Sequence, residues 1–167
     1  MNTPEANQDQ IDRWNGEAGE HWETHADIYD AQLAPFLDPL VAAAAATSTD
    51  TVLDVGCGCG ALSLRLAGNA AQVVGLDIAA PLLAVAETRR LAAGAANVDF
   101  VQSDAQSCTW DRPFDVIVSR LGVMFFENPA AAVTNLRDAA AADVPIAFTD
   151  GPESGRDGRV SCAGRAD

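Results

Sequence analysis

Three aspartates and one glycine-dense turn are the residues of this chain best placed to do chemistry: Asp54, Asp77 and Asp104, with VLDVGCGCGALSL over residues 52–64. Gly56, Gly58 and Gly60 alternate with Cys57 and Cys59, so the turn carries nothing larger than a thiol. Glycine at this spacing permits positive φ and lets a ligand lie against bare backbone. Gly56, Gly58 and Ala61 also satisfy the G-x-G-x-x-A dinucleotide pattern, so the turn by itself does not choose between nucleoside ligands. The acids choose. Asp54 lies inside an apolar run, where a carboxylate costs desolvation unless a cation or hydrogen-bond donors meet it. Facing a pyrophosphate it would repel, and facing an ammonium or sulfonium it would attract. Asp77 closes a second apolar run, where a carboxylate can accept from both ribose hydroxyls. Asp104 follows a third, placed to accept from an adenine amino group. The set suits a positively charged adenosyl ligand better than a diphosphate one.

A scaffold must bring those run ends to one edge. TVLDV (51–55), QVVGLD (72–77), VDFVQ (98–102, closing at Asp104), FDVIVS (114–119) and a weaker PIAFT (145–149) read as strands. Helical patterns fall between them, over 61–67, from Pro81 to Gly94, and over 130–141. Alternation of this kind predicts an α/β fold, a Rossmann-like doubly wound and mainly parallel sheet of about five strands buried on both faces. Ligands of such sheets bind beyond the carboxyl ends of the strands. Asp115 starts the fourth strand, away from that edge, and reads as structural. Residues 8–34 read as helical pieces with Trp14, Trp22 and Tyr29 near one face, and 37–46 as a further helix. The chain thus divides into N-terminal helices over 1–46, a core over 47–150 and an irregular tail over 151–167.

Bulk charge narrows the partners. Ten cations, all arginine, stand against 24 acids, a net charge of −14. A phosphate backbone or an anionic membrane surface calls for clustered cations, so the expected partner is a small molecule, with neither nucleic acid nor membrane. The polar, acidic N-terminus has no secretory pattern, and the expected compartment is the cytoplasm. Four cysteines do not form a disulfide framework at this length, and none has zinc-site spacing with a partner, so no metal is expected. Cys57 and Cys59 read as small residues tolerated between the glycines, with a reactive Cys59, near a helix N-terminus, as the alternative. His21 and His25 in HWETH lack the glutamate position of a zinc protease helix.

VLDVGCGCGALSLRLA, VVGLDIAAPLLAVAETR, VDFVQSDAQ and FDVIVSRLGVMFFENP together resemble the successive motifs of class I S-adenosylmethionine-dependent methyltransferases. WNGEAGEHW resembles the N-terminal helical lid of a small-molecule branch of that family. The resemblance implies S-adenosylmethionine as cofactor, a small-molecule acceptor and methyl transfer. It implies that Asp54, Gly56, Cys57, Gly58 and Gly60 hold the methionine end, Asp77 the ribose, and Ile78 the adenine face. Asp104 and Ala105 would read the adenine edge, and Ser119 would line the methionine side facing the acceptor, next to Arg120 and residues 122–126. It assigns no catalytic base. Trp14, Trp22 and Tyr29 read as core, with one of them bordering the ligand.

The C-terminal third departs from the family, with AAAADVP where a leucine–basic–proline–glycine–glycine turn is expected. That departure predicts a shortened chain, the last strands of the family fold missing and the fifth strand left as an open edge. Two alternatives accompany the methyltransferase reading: an NAD-linked oxidoreductase, from the G-x-G-x-x-A spacing, and a cofactor-binding protein without turnover.

Overall fold

Val52, Leu53 and Val55 are each no more than 1% exposed, so the first strand is shielded on both sides. The structure, a computed structural model, describes residues 7–142, 144, 146–149 and 160–163. Strand β1 (Thr51–Val55) lies between β2 (Gln72–Asp77) and β4 (Val116–Arg120), parallel to both. Beyond them lie β3 (Val98–Gln102) and β5 (Ile146–Thr149), also parallel. With β6 (Val160–Ala163) at the far side of β5, the full order is β3-β2-β1-β4-β5-β6, so chain order reverses between β1 and β4. That reversal opens a crevice at the carboxyl ends of β1 and β4.

Side chains alternate across the sheet. Val52 faces one layer with Leu40 and Ala44 of α4 (Leu37–Ala44) and Leu62 and Leu66 of α5 (Ala61–Leu66). Leu53 and Val55 face the other, with Leu136 and Ala139 of α7 (Pro129–Ala139). Parity therefore turns Asp54 toward α5. Helix α6 (Ala80–Ala93) follows β2 and ends on Gly94 in the left-handed conformation. Asp115 is structural, as expected: its Oδ2 accepts from the Thr51 amide at 2.8 Å, fixing the start of β1 against β4.

Three short helices, α1 (Gln8–Trp14), α2 (Glu17–Thr24) and α3 (Ala26–Leu33), cover the crevice side. Gly19 is their seat: a Cβ there would overlap the Trp14 carbonyl oxygen and lie 3.1 Å from Pro81 on α6.

The C-terminal region corrects the sequence reading. Val160–Ala163, placed in an irregular tail, forms β6, antiparallel to β5 with Thr149 opposite Val160 and Ile146 opposite Ala163. β5 is therefore not an open edge; its outer hydrogen-bonding groups find the partner a bare edge would lack. Residues 151–159 and 164–167 lie outside the described residues. Smaller differences are at element ends. β3 stops at Gln102, two residues before Asp104, and Phe114 makes only an isolated bridge with Ala140 ahead of β4.

Candidate ligand-binding site

The glycine turn leaves the end of β1 and is pinned to its neighbour strand. The amides of Gly56 and Cys57 both donate to Leu76 O, at 2.8 and 3.0 Å. The Gly58 amide donates to Asp77 Oδ2 at 2.8 Å, and the Ala79 amide to Asp77 Oδ1 at 2.9 Å. Asp77 thus ties the turn to β2 and keeps lone pairs free on both oxygens, since a carboxylate oxygen accepts more than one bond. Gly56 has φ +68°, and a Cβ there would sit 2.7 Å from Gly122 Cα. The turn is consequently shaped by a second loop crossing directly over it.

Asp54 is 1% exposed. Its Oδ2 accepts from Ser63 Oγ at 2.6 Å, while its Oδ1 has no partner among the described residues. Burial pushes its carboxyl up from 3.8 to about 6, against the lowering influence of Ser63 and Arg120. Burial also raises Asp77, opposed by the Ala79, Gly58 and Ile78 amides. Asp104 Oδ1 accepts from the Gln106 amide at 2.9 Å.

These groups face a cleft that is partly open to solvent. Of the residues singled out from the sequence, Asp54, Gly56, Cys57, Gly58, Asp77, Ile78, Asp104 and Ala105 line it. Gly60 and Ser119 do not. Gly60 is the left-handed residue opening α5, and a Cβ on it would meet Phe100 at 2.8 Å. Ser119 is wholly buried with its hydroxyl donating to Val55 O at 2.7 Å, so it braces β1 rather than facing a ligand. Arg120 faces the cleft in its place.

The opposite wall is aromatic. Trp14 and Trp22 both line the cleft, where the sequence reading allowed one; Phe125 packs edge-on to Trp14 at 5.2 Å between centroids. Tyr29 stands behind, stacked on Trp22 at 3.9 Å. Asp30, Leu33 and Asn7 complete this wall, and sequence reasoning missed all three. The Asn7 amide donates to Glu127 at 2.6 Å, bringing the start of α1 to the loop after β4.

Neither His21 nor His25 lines the cleft, and no metal-binding cluster occurs among the described residues. The alternative of a reactive Cys59 is disfavoured: burial raises its thiol to about 11, with Arg89 only partly offsetting this. Cys57 is pushed up as well, by burial first and then by Asp77 and Asp54. A thiol raised by about two pH units holds on the order of a hundredfold less thiolate near neutrality. Native-state alkylation of Cys59 by iodoacetamide is therefore expected to run at least that much slower than in urea, as read by peptide mass spectrometry.

Among known proteins, the model of a family described as "Methyltransferase domain" matches residues 52–142. No curated protein matches the chain. The YcgJ protein of Bacillus subtilis is 26% identical, with TM-score 0.66 over 68% of this chain and 49% of its own. The [4+2]-cyclase SpnF is 25% identical, with TM-score 0.67 over 72% of this chain and 46% of its own. A SAM-dependent methyltransferase from Thiobacillus denitrificans, solved with S-adenosyl-L-homocysteine, is 24% identical, with TM-score 0.60 over 68% of this chain and 47% of its own. The chain spans about half the length of these structures.

Proposed function

We propose that this chain, which belongs to the methyltransferase domain family, binds S-adenosylmethionine in the cleft and transfers its methyl group to a small-molecule acceptor. The observation that carries the reading is Asp54: a buried carboxylate with one oxygen unpartnered among the described residues, beside a turn where a Cβ on Gly56 would collide with Gly122. A cation relieves the desolvation that burial imposes there, and a diphosphate aggravates it. The residues present therefore fit the adenosyl sulfonium cofactor and disfavour the NAD alternative.

In this reading Asp54 meets the positive end of the cofactor, with Gly56, Cys57 and Gly58 giving backbone access. Asp77 receives the ribose hydroxyls on its remaining lone pairs, Ile78 covers the adenine face, and Asp104 with Ala105 takes its edge. Gly60 and Ser119 act from behind, through α5 and the Val55 carbonyl. When bound, S-adenosylmethionine supplies a methyl group on a cationic sulfur. The chain's part is to hold the acceptor in line with that carbon and keep water away. Trp14, Trp22 and Phe125 supply an apolar compartment for a small organic acceptor. SpnF, with its different named chemistry, illustrates that such a fold hosts several reactions, so the site and not the fold argues for transfer.

Isothermal titration of the purified chain tests the reading. S-adenosylhomocysteine is expected to bind with micromolar affinity and NAD not to bind. Binding of NAD without S-adenosylhomocysteine would overturn the proposal.

A further inference from the structure

The aromatic wall of the cleft holds a polar atom that no described residue satisfies. Asn7 lines the cleft and is 2% exposed, yet its Oδ1 has no hydrogen-bond partner among the described residues. Asn7 heads α1 in the left-handed conformation, with φ +80°, but its side chain makes no capping bond. Its main-chain amide donates to Glu127, two residues past Phe125, so the carboxamide belongs to the wall that Phe125 and Trp14 build. A buried acceptor without a donor is costly, so this oxygen calls for a ligand that brings one. We infer that the methyl acceptor is a ring-bearing amine, its N–H donating to Asn7 Oδ1 and its ring lying among Trp14, Trp22 and Phe125. This rests on the S-adenosylmethionine reading above.

The proton inventory of the cleft selects the amine. A hydroxyl acceptor must lose its proton as it attacks, which requires a base. Neither histidine lines the cleft, and burial keeps the thiols of Cys57 and Cys59 protonated. Asp54, Asp77 and Asp104 are taken by the cofactor in that reading. Asp30 is held by Arg89 Nη1 at 2.6 Å and by Arg120 Nη2 at 3.3 Å, which makes it a weak base. A carboxylate or phenolate acceptor needs no base, but it would enter a cleft with four acids and one basic side chain, Arg120, already paired. A free amine needs neither base nor cation. Its lone pair forms the N–C bond, the electron pair of the breaking C–S bond returns to sulfur, and the product ammonium releases its proton to solvent. Donating one N–H to Asn7 leaves that lone pair available.

The aromatic groups account for the ring. Tyr29 covers one side of Trp22, stacked at 3.9 Å and 11°, and Trp14 meets Trp22 edge-on at 5.8 Å. Trp14 is braced in turn by Phe125. Rings fixed in this way present oriented faces and edges, which a second ring satisfies better than a flexible chain does.

Calorimetry on the chain saturated with S-adenosylhomocysteine compares tryptamine and phenethylamine with phenethyl alcohol, hydrocinnamate and hexylamine. The two ring amines are expected to bind about tenfold or more tighter than the other three. Incubation with S-adenosylmethionine should convert them to N-methyl products, read by mass spectrometry. Asn7→Gly keeps the left-handed backbone and removes the carboxamide. It should weaken ring-amine binding by roughly 5–30-fold, with less than about a threefold change for S-adenosylhomocysteine. Asn7→Asp, whose side chain accepts only, should hold the amines within about threefold of wild type. Preference for the alcohol, the carboxylate or hexylamine would overturn the inference, as would wild-type amine affinity in Asn7→Gly or equal losses in the two variants. Absence of amine binding or transfer in a chain that holds S-adenosylhomocysteine would overturn it as well and leave the methyltransferase reading standing. Failure to hold S-adenosylhomocysteine would instead sink that reading, and this inference with it.

Discussion

Asp54→Asn is expected to give a protein that is more stable without ligand and unable to hold it. The carboxyl is raised from 3.8 to about 6 by burial, so in the fold it prefers its proton. In the unfolded chain Asp54 ionises near 3.8. Well above pH 6 both states are ionised, and the fold carries the cost of a buried charge. Between the two values the fold keeps the proton that the unfolded chain has lost, so the cost shrinks as pH falls and vanishes below 3.8. A shift of about two units corresponds to roughly 3 kcal/mol at neutral pH, at about 1.4 kcal/mol per unit. At about 2–4 °C per kcal/mol for a chain of this size, Tm should rise by roughly 6–12 °C near neutrality. Near pH 4 the rise should disappear. Asparagine can still accept from Ser63, so the packing survives and the charge alone is removed.

The same substitution removes the partner of the ligand's cation. Losing one member of a buried charge pair costs about 2–5 kcal/mol, or on the order of a thirtyfold to several-thousandfold loss of affinity. In the wild type, binding of S-adenosylhomocysteine should weaken about tenfold per pH unit below roughly pH 6, as the proton competes with the cation for Asp54. Asp77 shifts in the same direction and steepens the fall. In Asp54→Asn the Asp54 component of that pH dependence should be gone. Calorimetric titration at several pH values, with thermal melts alongside, reads both effects. No gain in Tm at neutral pH, together with unchanged affinity, would refute the role given to Asp54.

The acids and the glycine turn were legible because they depend on local order. Asp54 lies one residue before the end of an apolar run, Asp77 and Asp104 at or just past the ends of two others, and parallel pairing of β1, β2 and β3 carries those ends to one edge. Arg120 and Ser119 show what local order cannot decide. Val116, Ile117, Val118 and Ser119 are all buried, so β4 has no in–out alternation from which to read parity. A one-residue error exchanges the brace for the ligand-facing residue. Asp30, Leu33 and Asn7 were hidden for another reason: they reach the cleft through packing of short helices onto α6, which no spacing records. Trp14 and Trp22 gave the one available hint. β6 was masked by composition, since four small residues amid glycine and charge carry no strand periodicity.

Gly122 is the residue whose role the sequence hides most fully, and Gly122→Val is expected to abolish ligand binding. Nothing in SRLGVMFFENP sets this glycine apart from an ordinary loop residue. In the fold it passes directly over the glycine turn. A Cβ on it would lie 2.6 Å from Val55 O, 2.9 Å from Gly56 Cα and 2.9 Å from Ser119 Oγ. Two of those atoms are backbone, so no rotamer change makes room. Relief requires the loop after β4 to lift from the turn, breaking the Ser119–Val55 hydrogen bond or displacing Gly56. Overpacking of this kind costs about 1–3 kcal/mol when side chains alone must move, and this site should lie at or above the upper end. The loop carries Leu121 and Phe125 and adjoins Arg120 at the end of β4, three elements of the cleft wall. Lifting it separates them from Asp54 and the turn, so affinity should fall by several hundredfold or more while far-ultraviolet circular dichroism stays near wild type. Gly122→Ala should show the same direction with a smaller loss. Wild-type affinity in Gly122→Val would mean that the two loops do not cross in contact, and the geometry assigned to the cleft would fail with it.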